Sequence, residues 1–200
     1  MSRNRKKRQD HKSRPQLVAM VLIGAGLLIL GSLALILLPK PDAAANPSTG
    51  LSGSQPSNIP AQADYAAPEL TLKDLSGATV SLADYRDKVV LVNNWATWCP
   101  PCKAEMPTLL AYYEAHKSQN FMIIAIEAGE PDADVAAFVK DYGLTFPVWP
   151  DPGQKSIQAF RNSGLPNSFV IDKTGTVRLA WTGAISQDNL EKYVTPILEQ

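Results

Sequence analysis

Cysteine and histidine are scarce in this chain, which has two of each in 200 residues. A structural zinc site needs four nitrogen or sulfur ligands. His11 lies among the basic residues at the N-terminus, and His116 lies far along the helix that we predict after the cysteines. The four residues therefore cannot form such a site together, and we predict neither a metal ion nor a cofactor.

The chain also has no overall excess of charge, because its formal net charge is zero. From Tyr65 onward there are 11 basic and 16 acidic residues, a net charge of −5. Phosphate binding needs a basic face, so nucleic acid is excluded as a ligand of this part. Seven basic residues lie in the first 14 positions against a single acid, Asp10: Arg3, Arg5, Lys6, Lys7, Arg8, Lys12 and Arg14.

One hydrophobic run, Leu17–Leu38, contains 22 residues and no charge. It reaches roughly 33 Å as a helix, enough to cross a hydrocarbon core of about 30 Å. A cleaved signal peptide is the alternative, with 43–45 as its cleavage site, but its hydrophobic region usually has only about 7–15 residues. We predict a transmembrane anchor at 17–38 and a cytoplasmic tail at 1–16, because positive residues stay on the cytoplasmic side. The chain beyond the anchor is then outside the cytoplasm, where disulfides persist.

The composition changes twice after the predicted anchor. Residues 39–63 are mostly Pro, Ala, Ser, Gly, Asn and Gln, and such a segment buries too little apolar surface to fold. We predict that it is a flexible linker. Residues 64–200 show the order strand, helix, strand, helix, strand pair, helix, which predicts an α/β domain with a central sheet and helices on both faces.

The two cysteines lie three positions apart in the segment WATWCPPCKAEMP at 95–107. A predicted strand ends just before them and a predicted helix begins at them. Residues i and i+3 share a helix face, so Cys99 and Cys102 can form a small disulfide and reopen it. The helix N-terminus offers free N–H groups and a partial positive charge, which stabilise a thiolate. This pattern indicates a redox-active disulfide; the alternative, an inert structural bridge, would constrain the unfolded chain little across so short a loop.

This segment, together with Gly-Leu-Pro at 164–166, resembles the thioredoxin superfamily and, within it, the membrane-anchored TlpA/ResA-like disulfide reductases. The resemblance covers about residues 67–200 and implies a thioredoxin-like fold with a mixed sheet. It implies that Cys99 is the attacking thiolate and that Cys102 resolves the mixed disulfide. It further implies that Pro166 is a cis proline facing the disulfide, whose preceding backbone pairs with a bound substrate strand. It also implies a substrate-binding surface made of Trp98, Pro100, Pro101, Leu165 and Pro166.

Glu105 lies three residues beyond Cys102, so that Cys99, Cys102 and Glu105 share one helix face. In ResA-like proteins the acid at this motif position lies near the thiols and influences their titration. We expect Glu105 to be partly buried and to exchange a proton with Cys102, the alternative being a solvated carboxylate. Asn93 stands where thioredoxins have a buried Asp, and an amide cannot carry that proton. Asn94 stands where the family usually has an aromatic or apolar residue.

The resemblance implies a single-pass cell-membrane protein that reduces disulfides of exported proteins such as apocytochrome c. Electrons would come from a membrane thiol carrier of the CcdA or DsbD type. A thiol oxidase or isomerase is one alternative, although oxidases of the DsbA kind favour His between the cysteines. A peroxiredoxin-like peroxide reductase is another, but it needs a Thr where Ala96 stands. A copper- or haem-delivery chaperone, which uses the thiols as soft ligands, is the third.

Overall fold

The computed structural model describes residues 59–200. The predicted tail 1–16, the predicted anchor 17–38 and most of the predicted linker lie outside the described residues. Within 59–200, no helix has the length and apolar character needed to cross a membrane.

The described part of the chain alternates strands and helices. Its strands are β1 Ala61–Ala66, β2 Thr71–Lys73, β3 Thr79–Ser81, β4 Val89–Trp95, β5 Phe121–Glu127, β6 Val148–Pro150, β7 Asn167–Ile171 and β8 Thr176–Thr182. Its helices are α1 Pro100–His116, α2 Asp132–Tyr142, α3 Lys155–Phe160, α4 Gln187–Asn189 and α5 Thr195–Leu198. A 3₁₀ turn covers Leu82–Tyr85, and a π turn, Leu190–Val194, joins α4 to α5.

Six strands form one mixed sheet in the order β1-β8-β7-β4-β5-β6. Strand β4 is parallel to β5, and β5 is parallel to β6. The pairs β4–β7, β7–β8 and β1–β8 are antiparallel. Strands β2 and β3 form a separate two-stranded hairpin. The mixed sheet predicted from the sequence is confirmed.

Strand β4 lies inside the sheet, and all seven of its residues are buried. Because side chains alternate along a strand, its odd-numbered and even-numbered residues face opposite sides of the sheet. Leu91 and Trp95 pack with apolar residues of α1, α2 and the C-terminal helical segment. Val90 and Val92 pack with α3 and the β2–β3 hairpin. Helices therefore cover both faces, as predicted.

The described domain begins slightly before the predicted one. Strand β1 starts at Ala61, so residues 61–63, which we predicted to be linker, belong to the sheet and pair with β8. The strand lies at the sheet edge and most of its side chains are exposed. An exposed edge strand needs few large apolar residues, and in AQADYA the residues that alternate with Gln62 and Asp64 are alanines and Tyr65, which is a weak strand signal.

The topology brings two distant segments to the same end of the central strands, the end at which β4 stops and β7 starts. Strand β4 ends at Trp95, four residues before Cys99. Strand β7 runs antiparallel to β4 and begins at Asn167, whose register partner is Asn94. The last residues of β4 therefore lie beside the first residues of β7. The cysteine motif, which follows β4, and Pro166, which precedes β7, both lie beyond this end of the strands.

Candidate active site

The cysteines form a disulfide at the start of α1, as predicted. Cys99 is the N-cap residue, Cys102 lies in the first turn, and their Cα atoms are 5.3 Å apart. Cys102 is fully buried and Cys99 is 3% exposed. Pro100 and Pro101 occupy the first helical positions and have no N–H, so the first N–H that α1 offers is that of Cys102. It donates to Cys99 Sγ at 3.3 Å.

The residues predicted to bind substrate belong to two segments, the cysteine motif after β4 and the loop before β7. Trp98 is 66% exposed, which excludes a role in the core. Pro100 and Pro101 are exposed, Leu165 is half-buried and Pro166 is buried. The Leu165–Pro166 peptide bond is cis, which confirms the predicted geometry. Substrate binding by these residues stays a prediction.

Glu105 is more deeply buried than we predicted, with 2% of its surface exposed. Its Oε1 accepts a hydrogen bond from Asn93 Nδ2 at 2.8 Å, and its Oε2 accepts one from the Ile185 N–H at 3.0 Å. Burial raises the pKa of Glu105 to about 7, although both hydrogen bonds act to lower it. A carboxyl group with this pKa can gain or lose a proton near neutral pH. Proton exchange with Cys102 stays a prediction.

Asn93 connects Glu105 to the neighbouring strand. Its Nδ2 also donates to Ser168 Oγ at 2.9 Å, across the register pair that joins β4 to β7. Its Oδ1 is buried and has no hydrogen-bond partner among the described residues. Glu105, Asn93 and Ser168 therefore form a buried cluster, which we call the Asn93 cluster, on the α1 side of the sheet.

The loop after β5 anchors the segment that leads to Cys99. The Glu130 carboxylate accepts hydrogen bonds from the Thr97 N–H, at 2.7 Å, and from the Thr97 hydroxyl. Partial burial alone would raise the pKa of Glu130, but the bonds from Thr97 outweigh it and lower the pKa. Sequence reasoning missed Glu130, because 33 residues separate it from Thr97 and no local pattern links the two.

Glu127 supports this loop from the end of β5. Its Oε2 accepts a hydrogen bond from the Glu130 N–H at 3.0 Å, and its Oε1 is buried without a partner among the described residues. Burial raises the pKa of Glu127 to about 8, and the nearby charges of Glu130 and Asp151 add to this shift. Glu127 is therefore largely protonated at neutral pH.

The arrangement is suited to thiol–disulfide exchange. Within residues 59–200 no group of three His, Cys, Asp or Glu residues is placed to hold a metal ion. The chemically active groups at this end of the strands are a disulfide at a helix N-terminus and a buried carboxyl group one helical turn further on. With the cis-proline loop beside them on a mixed sheet, they define a thiol–disulfide oxidoreductase of thioredoxin-like fold.

Comparisons with known proteins agree with this class. The AhpC/TSA family matches residues 63–180. Thiol-disulfide oxidoreductase ResA of Geobacillus kaustophilus is 39% identical over 131 residues, which cover 66% of this chain and 75% of that protein. Its counterpart in Bacillus subtilis is 37% identical over 131 residues, covering 66% and 73%. A thiol:disulfide interchange protein of the thioredoxin family from Chlorobium tepidum has a similar structure, with 30% identity, a TM-score of 0.62, and coverage of 68% and 97%.

The chain belongs to the AhpC/TSA family and, within it, to the ResA-like thiol–disulfide oxidoreductases. It is a protein-disulfide oxidoreductase. Its two cysteines, Cys99 and Cys102, form a disulfide, and the redox role of this pair stays a prediction.

Proposed function

We propose that this protein is tethered to the cell membrane and reduces disulfides of exported proteins, with apocytochrome c as its substrate. The uncharged hydrophobic run 17–38 supports a membrane tether, and the seven basic residues before it support a redox domain outside the cytoplasm. A reductase in that compartment must be reduced again after each turnover, and a membrane thiol carrier of the CcdA or DsbD type supplies the electrons.

The observation that carries the reductase direction is the scarcity of N–H donors around Cys99 Sγ. A thioredoxin-fold protein is a strong oxidant when its reduced, thiolate form is strongly stabilised. Here Pro100 and Pro101 have no N–H, and among residues 59–200 a single N–H, that of Cys102, donates to Cys99 Sγ. With few donors to hold the thiolate, the dithiol readily gives up its electrons.

Glu105 acts in the same direction. A negative charge near a thiol disfavours the thiolate and raises the pKa of that thiol. Glu105 lies one helical turn beyond Cys102 and is buried, so water screens its charge only weakly. Ionised Glu105 therefore favours the disulfide over the dithiolate and makes the pair more reducing.

The reaction has two exchange steps. The Cys99 thiolate attacks one sulfur of the substrate disulfide, so a mixed disulfide forms and the other substrate sulfur leaves as a thiolate. Cys102 then gives its proton to the Glu105 carboxylate, and its sulfur attacks Cys99 Sγ. The second substrate thiolate leaves, two electrons have passed to the substrate, and the Cys99–Cys102 disulfide remains to be reduced by the carrier.

The midpoint potential of the Cys99–Cys102 pair in the full-length protein tests the direction. We expect a value near or below that of thioredoxin, about −270 mV, against glutathione or dithiothreitol buffers. A value near −120 mV, typical of a strong oxidant, would overturn the proposal. Pro101→Ala restores one N–H in the first turn of α1 and should make the potential less negative, whereas Pro107→Ala, further along α1, should not change it.

The substrate needs a separate experiment. The reduced full-length protein is mixed with an oxidised peptide that carries the Cys-x-x-Cys-His sequence of an apocytochrome c, and peptide thiols are counted after quenching. We expect faster reduction of this peptide than of a peptide with the same residues in scrambled order. Equal rates for the two peptides would remove apocytochrome c from the proposal and leave the direction untouched.

A further inference from the structure

Asn94, the neighbour of Asn93, belongs to a second buried cluster on the opposite side of the sheet. Its Nδ2 donates to Asn167 Oδ1 at 2.8 Å, and its Oδ1 accepts from Ser156 Oγ at 2.6 Å. Asn94 and Asn167 are fully buried, and Ser156 is 1% exposed. We call Asn94, Asn167 and Ser156 the Asn94 cluster.

The Asn94 cluster ends on the loop that leads to Pro166. Asn167 Nδ2 donates to the Gly164 carbonyl at 2.6 Å and to the Asn162 carbonyl at 3.1 Å. Every side-chain N and O atom of Asn94 and Asn167 thus has a hydrogen-bond partner. Burying an amide is costly unless it is hydrogen-bonded, and a chain of such bonds fixes its members in one arrangement.

The bond to Gly164 also fixes the orientation of the next N–H. The Gly164 carbonyl and the Leu165 N–H belong to one planar peptide unit, in which the oxygen and the hydrogen of a trans bond point in opposite directions. Because Asn167 holds the oxygen toward the protein interior, the Leu165 N–H points away from it. Neither the N–H nor the carbonyl of Leu165 has a hydrogen-bond partner among residues 59–200.

Hydrogen bonds of Asn162 also fix the conformation of the loop before Pro166. Asn162 Oδ1 accepts from the Gly164 N–H at 3.1 Å, and Asn162 Nδ2 donates to Thr182 Oγ1 at 3.0 Å. A Cβ atom on Gly164 would lie 3.0 Å from the Thr182 methyl carbon, so the loop packs closely against β8. The loop is therefore fixed between β7 and β8, and the Leu165 peptide groups are left available to a ligand.

We infer that Asn94 and Asn167 are positioning residues for substrate docking. The family resemblance already implies that the backbone before Pro166 pairs with a substrate strand. What the hydrogen bonds add is that Asn94 and Asn167 orient the Gly164–Leu165 peptide unit, so that the Leu165 N–H and carbonyl face an extended peptide segment that carries the substrate disulfide. The two amides do not titrate and do not touch the cysteines, so they act on peptide binding and leave the redox chemistry unchanged. This inference needs the oxidoreductase activity and does not depend on its direction.

Asn167→Asp in the full-length protein is the direct test. The substitution keeps the size of the side chain but replaces the donating NH₂ with an oxygen, which faces two carbonyl oxygens. The probes are a synthetic decapeptide with one internal Cys-Ala-Ala-Cys disulfide and the small disulfide 5,5′-dithiobis(2-nitrobenzoic acid). We expect the KM for the peptide to rise about tenfold while kcat, the rate with the small disulfide and the pH profile of thiol alkylation stay within twofold.

Asn120→Asp is the matched control, because it makes the same chemical change at an exposed residue. Asn120 lies just before β5, at the end of the strands that is far from the disulfide. It should leave both reactions unchanged. An unchanged KM in a folded Asn167→Asp protein, or an equal loss with the peptide and the small disulfide, would overturn the inference.

Two further measurements decide the matter if Asn167→Asp does not fold. Asn94→Leu is close in size and removes the donor to Asn167, so it should raise the KM for the peptide about threefold. In the unaltered protein held in its disulfide form, which cannot react with the oxidised peptide, saturating peptide should move the Leu165 amide resonance, because a substrate carbonyl accepts from that N–H. A Leu165 resonance that does not move would contradict the inference without any substitution.

Discussion

Two consecutive asparagines in β4 make hydrogen bonds of different kinds on opposite faces of the sheet. Asn93 donates to the carboxyl group of Glu105, whose pKa is about 7, and one oxygen of the Asn93 cluster has no partner among the described residues. Asn94 is bonded to neutral groups, and both of its polar atoms are paired. The pleat of one strand thus places a carboxyl group with a raised pKa on one face and, on the other, a neutral network that is hydrogen-bonded to the loop before Pro166.

The two clusters also differ in how they affect stability. The pKa of Glu105 in the folded protein is about 7, above the ordinary value of 4.5. As pH rises from 4.5 toward 7, the unfolded chain loses this proton while the folded protein keeps it, so the free energy of unfolding falls. Above pH 7 both states are ionised and this contribution stops changing. The neutral Asn94 cluster contributes no such dependence.

In the proposed function the disulfide carries the reaction itself, so removing it should have the largest effect. We expect Cys99→Ser to reduce turnover of any disulfide substrate by at least about 1,000-fold, because the attacking thiolate is lost. Cys102→Ser should instead accumulate a mixed disulfide, which is detectable as a mass increase under non-reducing conditions. A Cys99→Ser protein that keeps normal turnover would show that the redox site lies elsewhere.

Glu127 extends the comparison to a second buried carboxyl group on the α1 side of the sheet. Its pKa of about 8 exceeds the ordinary value of 4.5, so the free energy of unfolding falls as pH rises from 4.5 to 8 and stops changing above pH 8. We expect Glu127→Gln to raise the free energy of unfolding by about 2 kcal/mol at pH 9 and to leave it nearly unchanged at pH 4, as measured by urea denaturation. Glu69→Gln, at an exposed position, is the control and should show no such difference. A Glu127→Gln protein that is equally destabilised at both pH values would contradict the assignment.

Ser156 and Ser168 offer a matched pair, with one serine on each face. Ser156→Ala removes a hydrogen bond from the Asn94 cluster and should lower the free energy of unfolding by about 1 kcal/mol without moving the pH profile of thiol alkylation. Ser168→Ala removes an acceptor from Asn93 and should move that profile by up to about one pH unit. A shift caused by Ser156→Ala, or the same result for both variants, would remove the distinction between the faces.

The fold was largely predictable because its strong signals are local. The apolar run of β4 and the cysteine spacing predicted a buried strand followed by a helix, and both are present. The edge strand β1 gave no such signal, because its side chains are mostly exposed and need no apolar pattern.

The site was predictable only in part. Glu105 follows from helix spacing, since it lies one turn beyond Cys102. Its second partner, the Ile185 N–H, is 80 residues away and has no signature in the sequence. Asn94 was noted only as a departure from the family pattern, because its meaning depends on the register that places it opposite Asn167. Pairings that arise from sheet register are visible in the structure and not in the sequence.

The pH dependence of thiol alkylation in reduced Glu105→Gln protein tests the central claim most directly. The unaltered protein should show an inflection in the alkylation rate near pH 7, where the Glu105 carboxyl group titrates, in addition to the thiol titration itself. Glu105→Gln should lose that inflection, while Glu69→Gln should keep it. An inflection near pH 7 that persists in Glu105→Gln would contradict the claim that Glu105 exchanges protons with the cysteine pair.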